Sequence, residues 1–349
     1  MSQSFSQGHA LIVGVGADLP NTVQDAKGLA SILQDVGRCA YPKAQVKTLT
    51  GPKSKRDAVL SALDELARIN ADSSVIVYYS GHGYRTEENG KTNYYLMTYG
   101  YDLDHLETTT ISGAEFASKL GKIKSERLLV LLDCCHAGGF SGSEVLSKRS
   151  KSVSPKLVKA PIPAEALKMF EGRKGRVFIA SSKASEESIA GEPYSVFTTA
   201  LIAGLCGEGA AKEDGYVRVT DLAQYTYAAV KELSSDAQHP MTDFEQSDNF
   251  VLSYYAGGNK VPKGLPKTIA NPKVQTSPGS DNMTVFDQRD WNNIRNVTNV
   301  QGNQVNYYGN TTNIEAGNIG FLQPGWTVGT VNQVQGTTKP AQRTKRKQR

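Results

Sequence analysis

Ser74-Val75-Ile76-Val77-Tyr78-Tyr79-Ser80-Gly81-His82-Gly83 decides the fold. Val75 to Tyr79 are apolar or β-branched without a polar interruption, as a strand covered on both faces requires. The run then stops at serine, two glycines and a histidine. A second run of the same kind, Arg127-Leu128-Leu129-Val130-Leu131-Leu132, leads into Asp133-Cys134-Cys135-His136-Ala137-Gly138-Gly139. Two doubly buried strands imply a parallel sheet, and parallel strands need crossover helices.

The flanking sequence supplies them. His9 to Val15 is a further apolar strand, and Val23, Ala26, Leu29, Ala30 and Leu33 give helical spacing from Thr22 to Val36. A short strand is expected at Val46 to Leu49. Ser54-Lys55-Arg56-Asp57 has capping-box spacing ahead of a helix bearing Val59, Leu60, Leu63 and Leu66. Ser112-Gly113-Ala114-Glu115 caps another helix to about Lys122. Arg176 to Ser181 reads as a strand, Phe197 to Leu205 and Thr220 to Leu233 as helices, and Phe250 to Tyr254 as a last strand. The order predicts an α/β three-layer sandwich with a mostly parallel central sheet and helices on both faces.

Composition limits the function. The chain has 349 residues, 39% hydrophobic and 21% charged, with a formal charge of +5. The last eleven residues carry Lys339, Arg343, Lys345, Arg346, Lys347 and Arg349 without an acid, and Lys148 to Arg176 carries nine basic residues against Glu165 and Glu171. The remainder is therefore acidic, which argues against a nucleic-acid-binding body, although the tail can touch polyanions. No apolar run approaches the ~18 residues of a membrane span. The beginning lacks a secretory pattern, and four cysteines form no disulfide framework, so a reducing, cytoplasmic setting is expected. Gly14-Val15-Gly16-Ala17-Asp18-Leu19 lacks the third glycine of a dinucleotide fingerprint.

Reactive groups in open α/β sheets gather beyond the carboxyl ends of the strands. Here one such end carries His82 and its neighbour carries Cys134 and Cys135, with glycines beside both. A cysteine faced by a histidine is a nucleophile with its acid/base partner, and the glycines let backbone N–H groups point at a developing oxyanion. Cys39 and Cys206 read as packing residues in apolar helical contexts.

Ser80-Gly81-His82-Gly83 after its strand, then Asp133-Cys134-Cys135-His136-Ala137-Gly138 after the second, closely resembles the caspase-like cysteine peptidases, and within them the metacaspases and their bacterial relatives. The resemblance runs over residues 8 to 254 and takes in Gln24-Asp25-Ala26, Cys39-Ala40-Tyr41-Pro42, Val196-Phe197-Thr198, Asp221-Leu222 and Gln238-His239-Pro240. Ala137 departs from the serine usual in the family. The resemblance implies Cys135 as nucleophile and His82 as its partner, with the N–H groups of Gly83 and Cys135 as oxyanion donors and Asp25, Ser80 and Asp133 lining a pocket for Arg or Lys. Cys134, one residue off, should then point into the core. It implies a large part over 8–147 and a small part over 176–254, with self-cleavage in the basic loop 148–176. Lys148, Arg149, Lys151, Lys156 and Lys159 are the candidate cleavage sites, and a short helix is expected near Ala164 to Phe170. The chemistry needs no cofactor. Calcium activation, known in many relatives, would draw on Asp102 and Asp104. The resemblance further suggests an effector of cell death or defence acting on proteins with exposed Arg or Lys.

Beyond Tyr255 the composition changes. Residues 255–285 are rich in Gly, Pro and Lys and read as a linker, and 286–349 as an Asn-rich, β-prone or disordered region with a basic tail. Asn299 to Asn310 loosely resembles short amyloid-signalling motifs of microbial defence effectors, so residues 291–320 are a candidate self-assembly or recruitment segment. Two alternatives remain: a catalytically silent scaffold recruited through that segment, or a Cys-His hydrolase acting on something other than peptides.

Overall fold

The computed structural model describes residues 3–88, 91–134, 156–159, 175–183, 186, 188–245, 248–269, 273–274, 299–301 and 304–306. Its centre is a six-stranded sheet. The strands are β1 (Gly8–Gly14), β2 (Val46–Thr50), β3 (Ser74–Gly81), β7 (Leu128–Cys134), β9 (Arg176–Ala180) and β12 (Met241–Glu245). Their spatial order is β12-β9-β7-β3-β1-β2, all parallel except the edge strand β12, which runs antiparallel to β9.

Every residue of β3 and β7 is buried, because helices cover both faces. Ile76, Tyr78, Leu129 and Leu131 share one core with helices α1 (Asn21–Gln34), α5 (Val196–Leu205) and α6 (Val219–Leu233). Val75, Val77, Tyr79, Leu132 and Cys134 share the other with α2 (Arg56–Leu66) and α4 (Gly113–Lys122). The alternation of strand side chains sorts the two sets, so the apolar runs are continuous in sequence yet serve opposite layers. The expected mostly parallel α/β sandwich is the one observed.

A four-stranded antiparallel sheet stands beyond the end of β3. It is ordered β6 (Ile111–Ser112), β5 (Lys91–Leu96), β4 (Gly83–Glu88), β8 (Lys156–Lys159). Between β5 and β6 lies a one-turn helix, α3 (Leu106–Thr109). The loop reading of the basic segment is corrected at Lys156–Lys159, whose backbone pairs with Tyr84 to Glu87 of β4. Lys148, Arg149, Lys151 and the helix expected near Ala164 to Phe170 lie outside the described residues.

Three further expectations are revised. α2 is capped by Lys55, not Ser54; the Ser54 hydroxyl instead donates to the Gly51 and Val15 carbonyls. Ser112 does cap α4, accepting the Glu115 N–H at 3.1 Å, while the Glu115 carboxylate turns away to Arg56 at 2.7 Å. Cys39 sits in the turn after α1 rather than in a helix, though it is fully buried like Cys206.

The last strand of the domain, β13 (Val251–Tyr254), pairs with β11 (Tyr216–Arg218) and stays outside the main sheet. The segment read as a linker begins by packing on the domain. Tyr255, Ala256 and Ile269 are buried, and β14 (Lys273–Val274) pairs with β10 (Gly191–Glu192). In the Asn-rich region, β15 (Asn299–Gln301) and β16 (Gln304–Asn306) pair antiparallel, with Asn299 opposite Asn306 and Val300 opposite Val305. Among the described residues no helix is long and apolar enough to cross a membrane.

Candidate active site

Parallel register sets Ser80 of β3 opposite Asp133 of β7, and Gly81 opposite Cys134. By the alternation of the strands, Ser80 and Asp133 face the α1/α5 layer. α1 brings Asp25 to the same place. The three polar side chains are fully buried at the edge of an apolar core. Ser80 Oγ donates to Asp25 Oδ2 at 3.4 Å.

Ser195 couples the two carboxylates. Its backbone N–H donates to Asp25 Oδ1 at 2.8 Å, and its hydroxyl donates to Asp133 Oδ2 at 2.6 Å. The same hydroxyl accepts the Thr198 N–H at 3.0 Å and so caps α5. Ser188 Oγ donates to Asp133 Oδ1 at 2.7 Å, and Thr198 Oγ1 reaches Asp133 Oδ2 at 3.4 Å. Burial first, and the charge of Asp133 second, push the Asp25 carboxyl well above the usual carboxylate range. Burial, with the charges of Asp25 and Asp133 added, also holds the Tyr78 hydroxyl proton firmly. This is a buried acidic pair with hydroxyls around it and, among the described residues, no cation against it.

His82 occupies the corner between β3 and β4, 4% exposed. Its Nε2 lies 2.8 Å from Asp18 Oδ2, and its ring meets Tyr84 edge-on at 5.8 Å. Its carbonyl is fixed by the Met97 N–H at 3.0 Å and the Tyr79 hydroxyl at 2.9 Å. Gly81 is required by packing: a Cβ there would stand 2.6 Å from the Tyr79 hydroxyl and 2.7 Å from Val15. Gly83 pairs with Leu96. Since Met97 donates to His82, antiparallel alternation turns the Gly83 N–H away from β5.

Cys134 is 2% exposed and lies in the α2/α4 core, as the strand alternation predicts. Cys135 comes directly after it and lies outside the described residues. Burial pushes the Cys206 thiol up to about 12 and Cys39 higher still, so neither is a nucleophile. Asp102 and Asp104 share a turn in which Asp102 accepts the Asp104 N–H at 2.9 Å and holds His105 Nδ1 at 2.8 Å. Among the described residues no group of three or more His, Cys, Asp or Glu is arranged to hold a metal ion.

Five residues of this site were not singled out from sequence: Asp18, Tyr78, Ser188, Ser195 and Thr198. Ser195-Val196-Phe197-Thr198 carried a usable signal, a serine directly before an apolar helix. Ser188 carried none.

A mostly parallel sheet with His82 just past the end of one central strand, a buried acidic pair at these strand ends, and Cys135 next in the chain after the other central strand has the framework of an α/β thiol hydrolase. Residues 7–251 match the caspase domain of peptidase family C14. The chain belongs to that family of cysteine peptidases. Among solved structures, a Geobacter sulfurreducens protein known from a crystal structure is 16% identical at a TM-score of 0.46, over 70% of this chain and 99% of its own. No curated protein matches the chain.

Proposed function

We propose that the protein is an endopeptidase of the metacaspase branch that cuts after Arg or Lys, with Cys135 as nucleophile and His82 as its acid/base partner. One observation carries the specificity: Asp25 and Asp133 are fully buried and bridged by Ser195, and the charge of one raises the proton affinity of the other. Two carboxylates in that relation gain most from a guanidinium or ammonium, and a guanidinium offers donors to both at once. The Ser188 and Ser195 hydroxyls donate to the two Asp133 oxygens, so an entering cation competes with them for that carboxylate.

The reaction is that of a thiol nucleophile. The Cys135 thiolate adds to the carbonyl carbon, and the C=O electron pair moves to oxygen, met by the N–H groups of Gly83 and Cys135. The C–N bond then breaks and His82 gives its proton to the departing amine, leaving a thioester. Water, losing a proton to His82, opens the thioester and restores the thiolate. The caspase-domain match over 7–251 and the fixed position of His82 at the β3 exit support these roles. The C-terminal pair β15/β16 supports a second role for residues 291–320 in self-assembly or recruitment, since like residues face each other along its backbone register.

The test is hydrolysis of peptides differing only in the residue before the cut bond, Arg, Lys, Asp or Ala, by wild type and Cys135→Ala. We expect Arg and Lys peptides to be cut by wild type alone. Equal cleavage after Asp or Ala would remove the acidic pocket from the account. Activity surviving in Cys135→Ala would remove the nucleophile.

A further inference from the structure

The turn between β1 and α1 holds an arrangement that the Cys-His chemistry has not used. Gly16 and Ala17 both lie in the left-handed region, at φ +71 and +57. Alanine rarely adopts that conformation, which costs about 1 kcal/mol or more for a residue with a Cβ. The turn is nonetheless held firmly. The buried Thr22 hydroxyl accepts the Gly16 N–H at 2.8 Å and donates to the Leu19 carbonyl at 2.8 Å, and the Leu19 N–H closes on the Gly16 carbonyl at 3.0 Å.

What this strained turn presents is Asp18, whose Oδ2 lies 2.8 Å from Nε2 of the almost fully buried His82. A second loop comes near the same carboxylate. Burial, with the charge of Asp18 added, pushes the Tyr101 hydroxyl up to about 12, so it keeps its proton. Asp18 is thus placed by the β1–α1 turn, with the loop after β5 close by. Among the described residues no hydrogen bond is made to Nδ1 of His82.

We infer that Asp18 is a positioning residue for His82, its carboxylate accepting a hydrogen bond from Nε2–H and leaving Nδ1 as the nitrogen that takes up and gives back the acid/base proton. This rests on the reading of His82 as the acid/base partner. A carboxylate on the far nitrogen fixes both the tautomer and the ring plane, and it stabilises the imidazolium that forms while the proton is in transit. The effect belongs to the transition state, so it appears in kcat rather than in KM.

The experiment compares full-length wild type, His82→Ala, Asp18→Ala, Asp18→Asn and Tyr101→Phe on an Arg peptide, with the melting temperature measured for each. Asp18→Ala should lower kcat by roughly 10- to 100-fold with KM within a factor of about two. Asp18→Asn keeps an acceptor oxygen without the charge and should fall between alanine and wild type. Tyr101→Phe, which leaves the carboxylate in place, should lose only a few-fold. Wild-type kcat in both Asp18 variants, with His82→Ala inactive, would overturn the inference and leave the parent reading standing. Losses confined to KM or melting temperature would reduce Asp18 to a strap between loops, which also overturns it. Full activity in His82→Ala would sink the parent reading and Asp18 with it.

Discussion

Asp25 sits under two opposing demands. Its burial beside Asp133 raises its proton affinity, so the folded state keeps a proton that the unfolded chain releases. The stability tied to that proton is complete below about pH 4 and drains away as pH rises through the raised value. Asp25→Asn removes the dependence while leaving an oxygen to accept the Ser195 N–H. The variant should therefore melt a few degrees higher than wild type at neutral pH, with the gap closing towards pH 4. On Arg peptides the same change should cost about 2 kcal/mol or more, roughly 30-fold in kcat/KM, because one carboxylate no longer pairs with the cation. Melting curves across pH, beside kinetics on one protein batch, check both halves. A variant that loses activity and stability together would mark Asp25 as structural. His82 was legible because it follows directly on an apolar strand, whereas Asp25, Ser80 and Asp133 were named through the family resemblance; the structure brings those three together. Ser188 was not legible, because its partner Asp133 is 55 positions away and nothing local marks the pair.

At the scale of elements, legibility tracked burial. β1, β3, β7 and β9 announce themselves because a strand covered on both faces can hold little but apolar residues. The β4–β5 pair was missed because Arg85, Glu87, Glu88 and Lys91 interrupt any apolar pattern. The Asn89-Gly90 dipeptide between the two strands was the signal available. The Ser54 cap was misplaced because a serine next to a helix has competing carbonyls in reach, here those of Gly51 and Val15. β8 bears on processing. A peptidase takes its substrate as a free extended strand, whereas the Lys156–Lys159 backbone is already committed to β4. Self-cleavage should then fall after Lys148, Arg149 or Lys151, leaving β8 in its sheet. Mass spectrometry of the processed full-length chain should find new N-termini at 149, 150 or 152, and none in Cys135→Ala. Cleavage after Lys156 or Lys159 would show that β4 does not protect its partner.

For the whole molecule the question is where the folded peptidase unit stops. Composition placed the change at Tyr255, since Gly, Pro and Lys dominate the residues beyond it. Those residue types describe a chain that forms no helix or long strand, and they say little about whether it stays on the surface it meets. Gly257 N–H donates to the Arg38 carbonyl at 2.8 Å, and the Tyr255 hydroxyl donates to the Lys260 carbonyl at 2.6 Å. Ile269 is fully buried, and Val274 pairs with Gly191, on the segment that leads into Ser195 and the acidic pair. Burying a side chain such as isoleucine contributes about 1.5–3 kcal/mol, a large part of a domain's net stability. A chain ended after residue 280 should therefore keep the melting temperature and the Arg-peptide kinetics of the full-length protein. One ended after Tyr254 should melt several degrees lower and lose activity on the same peptide, since it uncovers the core around Ile269 and frees the β10 segment. Equal melting temperatures for the two truncations would mean that residues 255–274 lie on the domain without supporting it, and the boundary would return to Tyr255.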